Sequence, residues 1–156
     1  MVLEIKKYPD SVLRKKCEEV KEITPKIKEL VFIMVETMKE KEGIGISGPQ
    51  VGFSKRIIAV QAENGPEVFI NPKILKKSKE KEIMEEGCLS FPKFFLKIKR
   101  AKEIEIEAIN LNGEKIIIKA QGLTARIFQH EIDHLDGILF IDRINLFKKI
   151  WLSLKI

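Results

Sequence analysis

The strongest constraint on the fold is that both histidines of this 156-residue chain lie in one stretch, HEIDH, at residues 130 to 134. On an α-helix, positions i and i+4 lie one turn apart on the same face, so His130 and His134 can direct ring nitrogens at one metal ion. Glu131 lies on an adjacent sector, where it can act as a general base toward a water molecule at the site. The stretch therefore predicts a helix that carries a metal site.

The signals around HEIDH give this helix its bounds. Apolar Ile127 and Phe128 precede the histidines, and Gly137 is a typical stop signal, so the helix is expected from about Leu123 to Leu135. A second, amphipathic helix is expected in the N-terminal half, with Thr24 as its N-cap, Pro25 at its first position and Gly43 after its end. Its core-facing side chains are Ile27, Leu30, Val31, Met34 and Met38.

Most of the chain between the two helices has the pattern of β-strands. KRIIAVQ, EVFINP and KILKKSKEKEIMEEG are rich in β-branched residues between Pro, Gly and Asn. In KEIEIEAINLNGEKIIIKAQ, apolar and charged residues alternate on both sides of Asn112 and Gly113, which predicts a hairpin with one buried face. A short extended piece and an amphipathic segment opening near Asp142 follow the second helix.

These elements predict an α+β fold in a single domain over residues 1–156. Short, mainly antiparallel sheets pack around a central helix carrying HEIDH, and the amphipathic helix of the N-terminal half adds to them. At 44% hydrophobic residues the chain can bury a substantial core. Internal repeats, linkers and low-complexity tracts are not evident in the sequence.

Composition narrows the class of partner and the compartment. The net charge is +6, but the 29 basic and 23 acidic residues are interleaved, which argues against specific nucleic-acid binding. The sequence holds no apolar run of the roughly 18 residues that a membrane span needs. It has two cysteines and opens with the charged MVLEIKKYPD, so a cytoplasmic location is expected.

Two histidines are too few for a catalytic metal site, which normally takes three protein ligands and keeps a position for water. The third ligand must be Cys, Asp or Glu. The metzincin protease pattern would need a histidine where Phe140 stands, and Asp142 is too near for the distant glutamate of gluzincins. Cys88, in EEGCLSFP, is a candidate because a thiolate is a strong ligand, whereas Cys17 is interpreted as a small buried or surface residue.

The glycine-rich stretch GIGISGPQ, residues 43 to 50, follows a helix and precedes a strand. This order, and the lack of a GK[ST] sequence, exclude a phosphate loop and a dinucleotide-binding turn. Its glycines allow another backbone to come close, and the Gln50 side-chain amide can donate to a developing oxyanion.

Three stretches occur in the order GIGISGPQ, EGCLS and QHEIDHLDG. In this order they resemble the three signature motifs of the peptide deformylase family, and the resemblance spans nearly the whole chain. It implies a metal-dependent hydrolase that removes the N-formyl group from the N-terminal formylmethionine of newly synthesised polypeptides. It also implies one divalent metal ion per chain, with Fe(II) expected in cells and Zn, Ni or Co in purified protein.

The resemblance also implies roles for individual residues. Cys88, His130 and His134 are expected to hold the metal, and Glu131 to take the proton of the attacking water and return it to the leaving amine. The Gln50 amide and the Leu89 backbone N–H are expected to stabilise the oxyanion.

Further residues carry over as the substrate cleft and its support. Gly45 and Gly87 are expected to let the peptide lie alongside as an extra strand. The methionine pocket is expected to be formed by apolar side chains, namely Ile44, Met84, Leu123 and Ile127. Glu86 and Arg100 fall where the family has an ion pair that braces the cysteine segment.

This chain departs from the family pattern at several positions. Ser47 and Gly48 stand where members commonly have two alanines, a change expected to loosen the loop slightly. Phe91 stands where Ile or Val is frequent. Residues 93–95 are Lys-Phe-Phe, where bacterial members often carry an arginine just past Pro92, which affects contacts to substrate residues beyond methionine.

The C-terminal segment NLFKKIWLSLKI has two interpretations. With Lys148, Lys149 and Lys155 beside Trp151, it resembles the helix that docks some bacterial relatives on the ribosome. Packing back on the core is the alternative interpretation.

Two other functions are compatible with HEIDH. One is a small metallopeptidase that cleaves ordinary peptide bonds, and the other is a non-catalytic module with a structural metal. A structural site is normally closed by four protein ligands, whereas three good candidates are found here.

Overall fold

A computed structural model describes residues 1–144 and 146–154 of the chain. Its α-helices are α1 (Pro25–Glu40), α2 (Gly122–Leu135) and α3 (Leu146–Ser153), and short 3₁₀ turns lie at Ser11–Arg14, Gly48–Val51 and Phe140–Arg143. The strands are β1 (Gly45–Ser47), β2 (Ile57–Ala62), β3 (Gly65–Lys77), β4 (Lys81–Cys88), β5 (Phe91–Ala101), β6 (Glu103–Ile109) and β7 (Lys115–Gln121). The predicted α+β class is confirmed.

The strands form two antiparallel sheets of unequal size. The large sheet has the order β1-β2-β3-β6-β7, and the small sheet consists of β4 and β5 alone. Among the described strands β4 and β5 pair only with each other, so the small sheet is attached to the rest of the molecule by side chains and by backbone bonds outside the ladders, such as Tyr8 N–H to the Ser90 carbonyl oxygen at 3.0 Å.

The start of α1 follows the signals expected from the sequence. The Thr24 hydroxyl accepts a hydrogen bond from the Ile27 backbone N–H at 3.2 Å, and Pro25 occupies the first turn, where its missing N–H costs nothing. The buried face of the helix is formed by Leu30, Val31, Met34, Thr37 and Met38. The predicted N-terminal-half helix is confirmed.

The hairpin of β6 and β7 is also confirmed, in register and in turn. Ile106 lies opposite Ile118, and Ile104 and Ile106 are buried. The Asn110 side chain accepts hydrogen bonds from the backbone N–H groups of Asn112 and Glu114, at 2.9 and 3.0 Å, and Gly113 has a φ of +81°. This turn fixes which face of the hairpin points to the core.

The strand-rich middle of the chain differs from the sequence expectation in its boundaries. EVFINP and the start of KILKKSKEKEIMEEG form one strand, β3, with a register shift between Ile70 and Lys73, and the remainder forms β4. The break falls at Ser78, whose hydroxyl donates to the Glu80 carbonyl oxygen and accepts from the Glu103 N–H. These local side-chain bonds end the ladder there.

The large sheet is buried on both faces at β2. Ile57 and Ala59 pack in a cluster with the α1 residues Met34 and Met38. The alternate residues of β2, Ile58 and Val60, pack in a second cluster with residues of α2. Helix α2 is therefore central, and every residue from Ala125 to Leu135 is buried.

A third cluster joins the small sheet to both ends of the chain. It contains Leu13, Phe91 and Ile98 together with Phe140 and Leu152. Leu152 of α3 is 4% exposed, so α3 packs against this cluster. This agrees with the interpretation that the C-terminal segment packs back on the core. The side chains of Lys148 and Lys149, and Lys155 altogether, lie outside the described residues.

None of the helices within residues 1–144 and 146–154 is long and apolar enough to cross a membrane.

Candidate active site

Three candidate metal ligands meet where the small sheet touches α2. His130 and His134 lie on α2, and Cys88 is the last residue of β4. Their ligand atoms all lie within 4.8 Å of one another, and Cys88 Sγ is 3.4 Å from His134 Nε2. The fold thus brings together one sulfur and two imidazoles, although Cys88 and His134 are 46 positions apart in the sequence.

A hydrogen bond from His130 to Glu86 fixes the orientation of His130. His130 Nδ1 lies 2.9 Å from Glu86 Oε1, and an ionised carboxylate only accepts, so Nδ1 donates to it and Nε2 is the ring nitrogen left for a metal ion. Burial by itself raises the pKa of Glu86, but hydrogen bonds from His130 and Arg100 outweigh it and lower the pKa to about 2. Glu86 is therefore a permanent anion at neutral pH.

The surroundings of His130 favour a positive charge. Burial lowers the pKa of His130, but the neighbouring Cys88, Glu131 and Glu86 outweigh burial and raise it to about 10. A buried pocket that stabilises a cation in this way, with one thiol and two imidazoles converging on it, fits a divalent first-row metal. The residues present therefore suit one divalent metal ion.

Glu131 is set up as a buried acid–base group. It is 4% exposed, and its Oε1 has no hydrogen-bond partner among the described residues. Burial raises the pKa of its carboxyl to about 7, which is the range in which a group can both accept and release a proton. A Cβ atom at Gly45 would lie 2.6 Å from Glu131 Oε2, so only glycine at position 45 leaves room for this carboxylate.

Gln50 is held with its amide N–H₂ toward Cys88. Its Oε1 accepts from the Ser47 backbone N–H at 3.0 Å and from the Ser47 hydroxyl at 3.1 Å. Its Nε2 lies 3.2 Å from Ser90 Oγ and 3.6 Å from Cys88 Sγ. Both bonds to Oε1 select one orientation of the amide, so a donor faces the metal site.

A cleft of about 610 Å³ opens onto these groups. Of the residues expected to bind substrate, it is lined by Ile44, Gly45 and Gly87, and also by Leu89. Phe95 lies against Gly87, where an added Cβ would be 2.7 Å from the ring, and is 61% exposed. A larger cavity of about 900 Å³ is lined by Cys17 and Arg56 and includes none of the candidate ligands. The smaller cleft is therefore the one next to the chemistry.

The other expected pocket residues lie outside the cleft lining. Ile127 is buried, and a Cβ at Gly45 would be 2.9 Å from its side chain. Met84 lies on β4 opposite Ile98, and Leu123 lies in the first turn of α2 and is 51% exposed. Their assignment to the methionine pocket stays a prediction.

The expected ion pair of Glu86 and Arg100 is part of a larger buried network. Arg100 binds Glu86 through Nε and Nη2, at 2.6 and 3.0 Å, and reaches Asp133 through Nη1 at 2.9 Å. Arg126 also donates to Glu86, and Arg143 donates to Asp133 through two nitrogens. Arg126, Asp133 and Arg143 were not expected from the sequence.

A signal for two of these residues was present in the helix pattern. Arg126 and Asp133 stand four positions before and three after His130, which places them on the same side of α2 as the metal ligand. Charged side chains on a helix that is buried throughout must be paired.

Cys17, by contrast, is buried in the core, and burial raises the pKa of its thiol to about 11.

The fold and this donor set together define an α+β metallohydrolase of the HExxH type. The sequence model of the polypeptide deformylases matches residues 2–149 of the chain. The chain belongs to the polypeptide deformylase family.

Individual relatives agree in length and in fold. The peptide deformylase of Halothermothrix orenii is 50% identical over 145 residues, which cover 92% of this chain and 94% of that protein. The crystal structure of peptide deformylase from Thermotoga maritima superposes with a TM-score of 0.91 at 43% identity, over 93% of this chain and 99% of that one. The Ehrlichia chaffeensis peptide deformylase in complex with actinonin gives 0.92 at 41% identity, over 99% and 95%.

Proposed function

We propose that this chain removes the N-formyl group from the N-terminal formylmethionine of newly synthesised polypeptides and releases formate. The observation that carries the proposal is the unpartnered carboxylate oxygen of Glu131 beside the converging Cys88, His130 and His134, in a cleft open to a peptide. This chain belongs to the polypeptide deformylase family, whose members are metal-dependent hydrolases.

Cys88 Sγ and the Nε2 atoms of His130 and His134 would hold one divalent metal ion. A bound ion of this kind would polarise the formyl carbonyl and would make a water molecule acidic enough to attack near neutral pH. We propose Fe(II) as the ion in cells, and Zn, Ni or Co as ions that purified protein can carry.

Glu131 is proposed as the proton carrier of the reaction. Its carboxylate takes one proton from the attacking water as the new C–O bond forms on the formyl carbon. It then delivers that proton to the amine nitrogen as the C–N bond breaks, which leaves formate and a free methionine amine. A pKa of about 7 suits both steps, because neither the acid nor the base form is strongly favoured.

Gln50 and Leu89 are proposed to stabilise the oxyanion that forms during the attack. The Gln50 amide N–H₂ faces the site because Ser47 holds its oxygen on the other side. The Leu89 backbone N–H directly follows the ligand Cys88, and Leu89 lines the cleft. Two donors aimed at the developing charge lower the barrier more than they stabilise the bound substrate.

The substrate is proposed to lie as an extended strand between Gly45 and Gly87, both of which line the cleft. Its methionine side chain would contact apolar residues near Gly45, for which we keep Ile44, Met84, Leu123 and Ile127 as the candidates.

The proposed partners are formylmethionyl nascent peptides, and the proposed location is the cytoplasm. We also propose that helix α3 associates with the ribosome. Leu152 anchors the helix to the core, and the side chains of Ile150 and Trp151 on its outer side are 57% and 59% exposed. Truncation after Asn145 should then reduce co-sedimentation with ribosomes. Unchanged co-sedimentation would end this part of the proposal.

The deciding experiment measures formate release from formyl-Met-Ala-Ser by anaerobically purified protein, with the metal content determined on the same sample. Metal-dependent formate release with an intact peptide is the expected result. Cleavage of the peptide bonds of unformylated Met-Ala-Ser would favour a metallopeptidase. Metal-loaded protein that leaves both peptides unchanged would favour a structural metal site.

A further inference from the structure

The side chain of Arg126 lies between α2 and both strands of the small sheet, and it is 4% exposed. Its Nη1 donates to Glu86 Oε2 at 2.5 Å and to the Ile98 carbonyl oxygen at 2.9 Å. Its Nη2 donates to the Glu82 carbonyl oxygen at 2.6 Å. One guanidinium thus binds the backbone of β4, the backbone of β5 and the carboxylate that orients His130.

Only an arginine can make this set of bonds from one buried position. The guanidinium is planar and presents its donors in a fixed fork, so it can serve three acceptors in different directions at once. A lysine carries the same charge on one ammonium group at the end of a flexible chain, and this group is more strongly hydrated. It therefore satisfies three separate acceptors less well where water is excluded.

The position of Arg126 matters because Cys88 belongs to the small sheet. Within the described part of the chain that sheet has no strand pairing with the large sheet, whereas the two histidine ligands lie on α2. The separation between the sulfur and the imidazoles therefore depends on how the small sheet is docked on α2. Arg126 contributes to this docking one helical turn before His130, together with the Arg100–Asp133 pair and the hydrogen bonds between Gln129 and the Ala101 backbone.

The pairing of the buried carboxylates also supports a positioning role for Arg126. Glu86 accepts from both Arg126 and Arg100, but Arg100 also donates to Asp133. Without Arg126, Glu86 would keep Arg100 as its one arginine partner among the described residues, and Arg100 also serves Asp133, which Arg143 binds from the other side. This loss costs free energy because a buried charge needs a close partner. Glu86 would then be less firmly held as the acceptor for His130 Nδ1.

We infer that Arg126 is a positioning residue for the metal ligands, since it docks the small sheet on α2 so that Cys88 reaches the histidines and holds Glu86 against His130. This inference rests on the metal site of the proposed function.

The test replaces Arg126 by methionine, which has a similar length but no donors and no charge. Zinc affinity is measured by competition with a fluorescent chelator, and the thiolate-to-cobalt absorption band of Co(II)-loaded protein reports on Cys88. Removal of a group that orients a metal ligand typically weakens binding by about 10- to 100-fold, so we expect a loss in this range in R126M together with a weaker cobalt band.

R56M is the matched control. Arg56 also docks α2, through the Leu135 carbonyl oxygen at 3.1 Å and Asp136 Oδ1 at 2.9 Å, but it contacts neither Glu86 nor Cys88 through these bonds. R56M should lose stability and keep the zinc affinity and the cobalt band of the unaltered protein. An equal loss of affinity in R56M and R126M would overturn the inference, because loosening of α2 would explain both.

An unaltered affinity and cobalt band in R126M would overturn it directly. If R126M does not fold, R126K decides, because it keeps the charge and lacks the fork. A several-fold loss of zinc affinity in R126K supports the inference, and full affinity contradicts it. Both readouts concern ligand geometry alone, so a zinc-loaded unaltered protein that releases no formate would count against the proposed function and leave this inference standing.

Discussion

The two sheets of this molecule are attached to α2 by different forces. The large sheet is clamped between α1 and α2 by apolar side chains, with alternate residues of β2 in the two clusters. The small sheet is docked on α2 by buried charges, in which Arg100 and Arg126 bind Glu86. Apolar packing tolerates small shifts, whereas paired buried charges lose much of their free energy when they move apart.

The difference has a functional meaning. The small sheet contributes Cys88 and Glu86, so its position relative to α2 sets the ligand geometry, whereas the large sheet mainly supports α2 from behind. Substitutions in the small sheet should therefore affect metal binding more than stability, and substitutions in the large sheet the reverse.

The largest effect is expected for Cys88→Ala at the end of the small sheet. Two imidazoles remain, which is too few to hold a zinc ion firmly, so both metal content after gel filtration and formate release should fall to background. Cys17→Ser is the control, because Cys17 lies in the core cluster behind α2. Metal retention by C88A at the level of C17S would rule out Cys88 as a ligand.

Glu131→Gln should come next, at the junction of the two sheets. General acid–base catalysis contributes about 10²- to 10⁴-fold, so turnover should fall within that range while metal content stays the same. The test is formate release per bound metal ion in the variant and the unaltered protein. Full turnover in E131Q would end the proposed role of Glu131.

Ile106→Ala tests the large sheet. Ile106 is fully buried, and truncation of such a side chain costs about 2 to 5 kcal/mol of unfolding free energy, which urea unfolding measures. Ile117, on the partner strand and 52% exposed, provides the control I117A, for which a change below about 0.5 kcal/mol is expected. Zinc affinity should remain unaltered in I106A, and a loss there would contradict the separation of roles.

The pH dependence of stability tests the charges of the small sheet. Because the pKa of Glu86 falls from 4.5 to about 2 on folding, its contribution is complete above pH 4.5 and is lost as the pH falls toward 2. The contribution is on the order of 3 kcal/mol. In metal-free protein, E86Q should lose less stability than the unaltered protein between pH 5 and about 3.

Glu85, exposed on the other face of the same strand, gives the control for this comparison. E85Q should follow the acid unfolding curve of the unaltered protein. Coincident curves for E86Q and the unaltered protein would show that Glu86 is not the group responsible.

The smallest effect is expected for Ser47→Ala. The family commonly has alanine at this position, yet here the Ser47 hydroxyl donates to Gln50 Oε1. Loss of this one bond, worth about 0.5 to 1.5 kcal/mol, should lower kcat by up to about 10-fold and leave KM nearly unchanged. A change confined to KM would place the effect on substrate binding instead of the oxyanion.

Several features followed from local sequence alone. The caps of α1, the Asn112–Gly113 turn and the placement of HEIDH on a helix depend on interactions between near neighbours in the chain. The three motifs likewise identified the family and predicted the ligands, because residue types at fixed spacings carry that chemistry. The split of KILKKSKEKEIMEEG at Ser78 was missed, since the Ser78 hydroxyl ends the strand by binding Glu80 and Glu103.

The sequence by itself thus determined the α+β class and the main helices, and it predicted the groups proposed to do the chemistry. Only the tertiary structure decided that Arg126 and Asp133 join the network around Glu86, that Gly45 makes room for Glu131, and that α3 packs back through Leu152. The physical reason is that these features depend on contacts between segments distant in sequence, and spacing along one chain does not encode which buried charges meet in space.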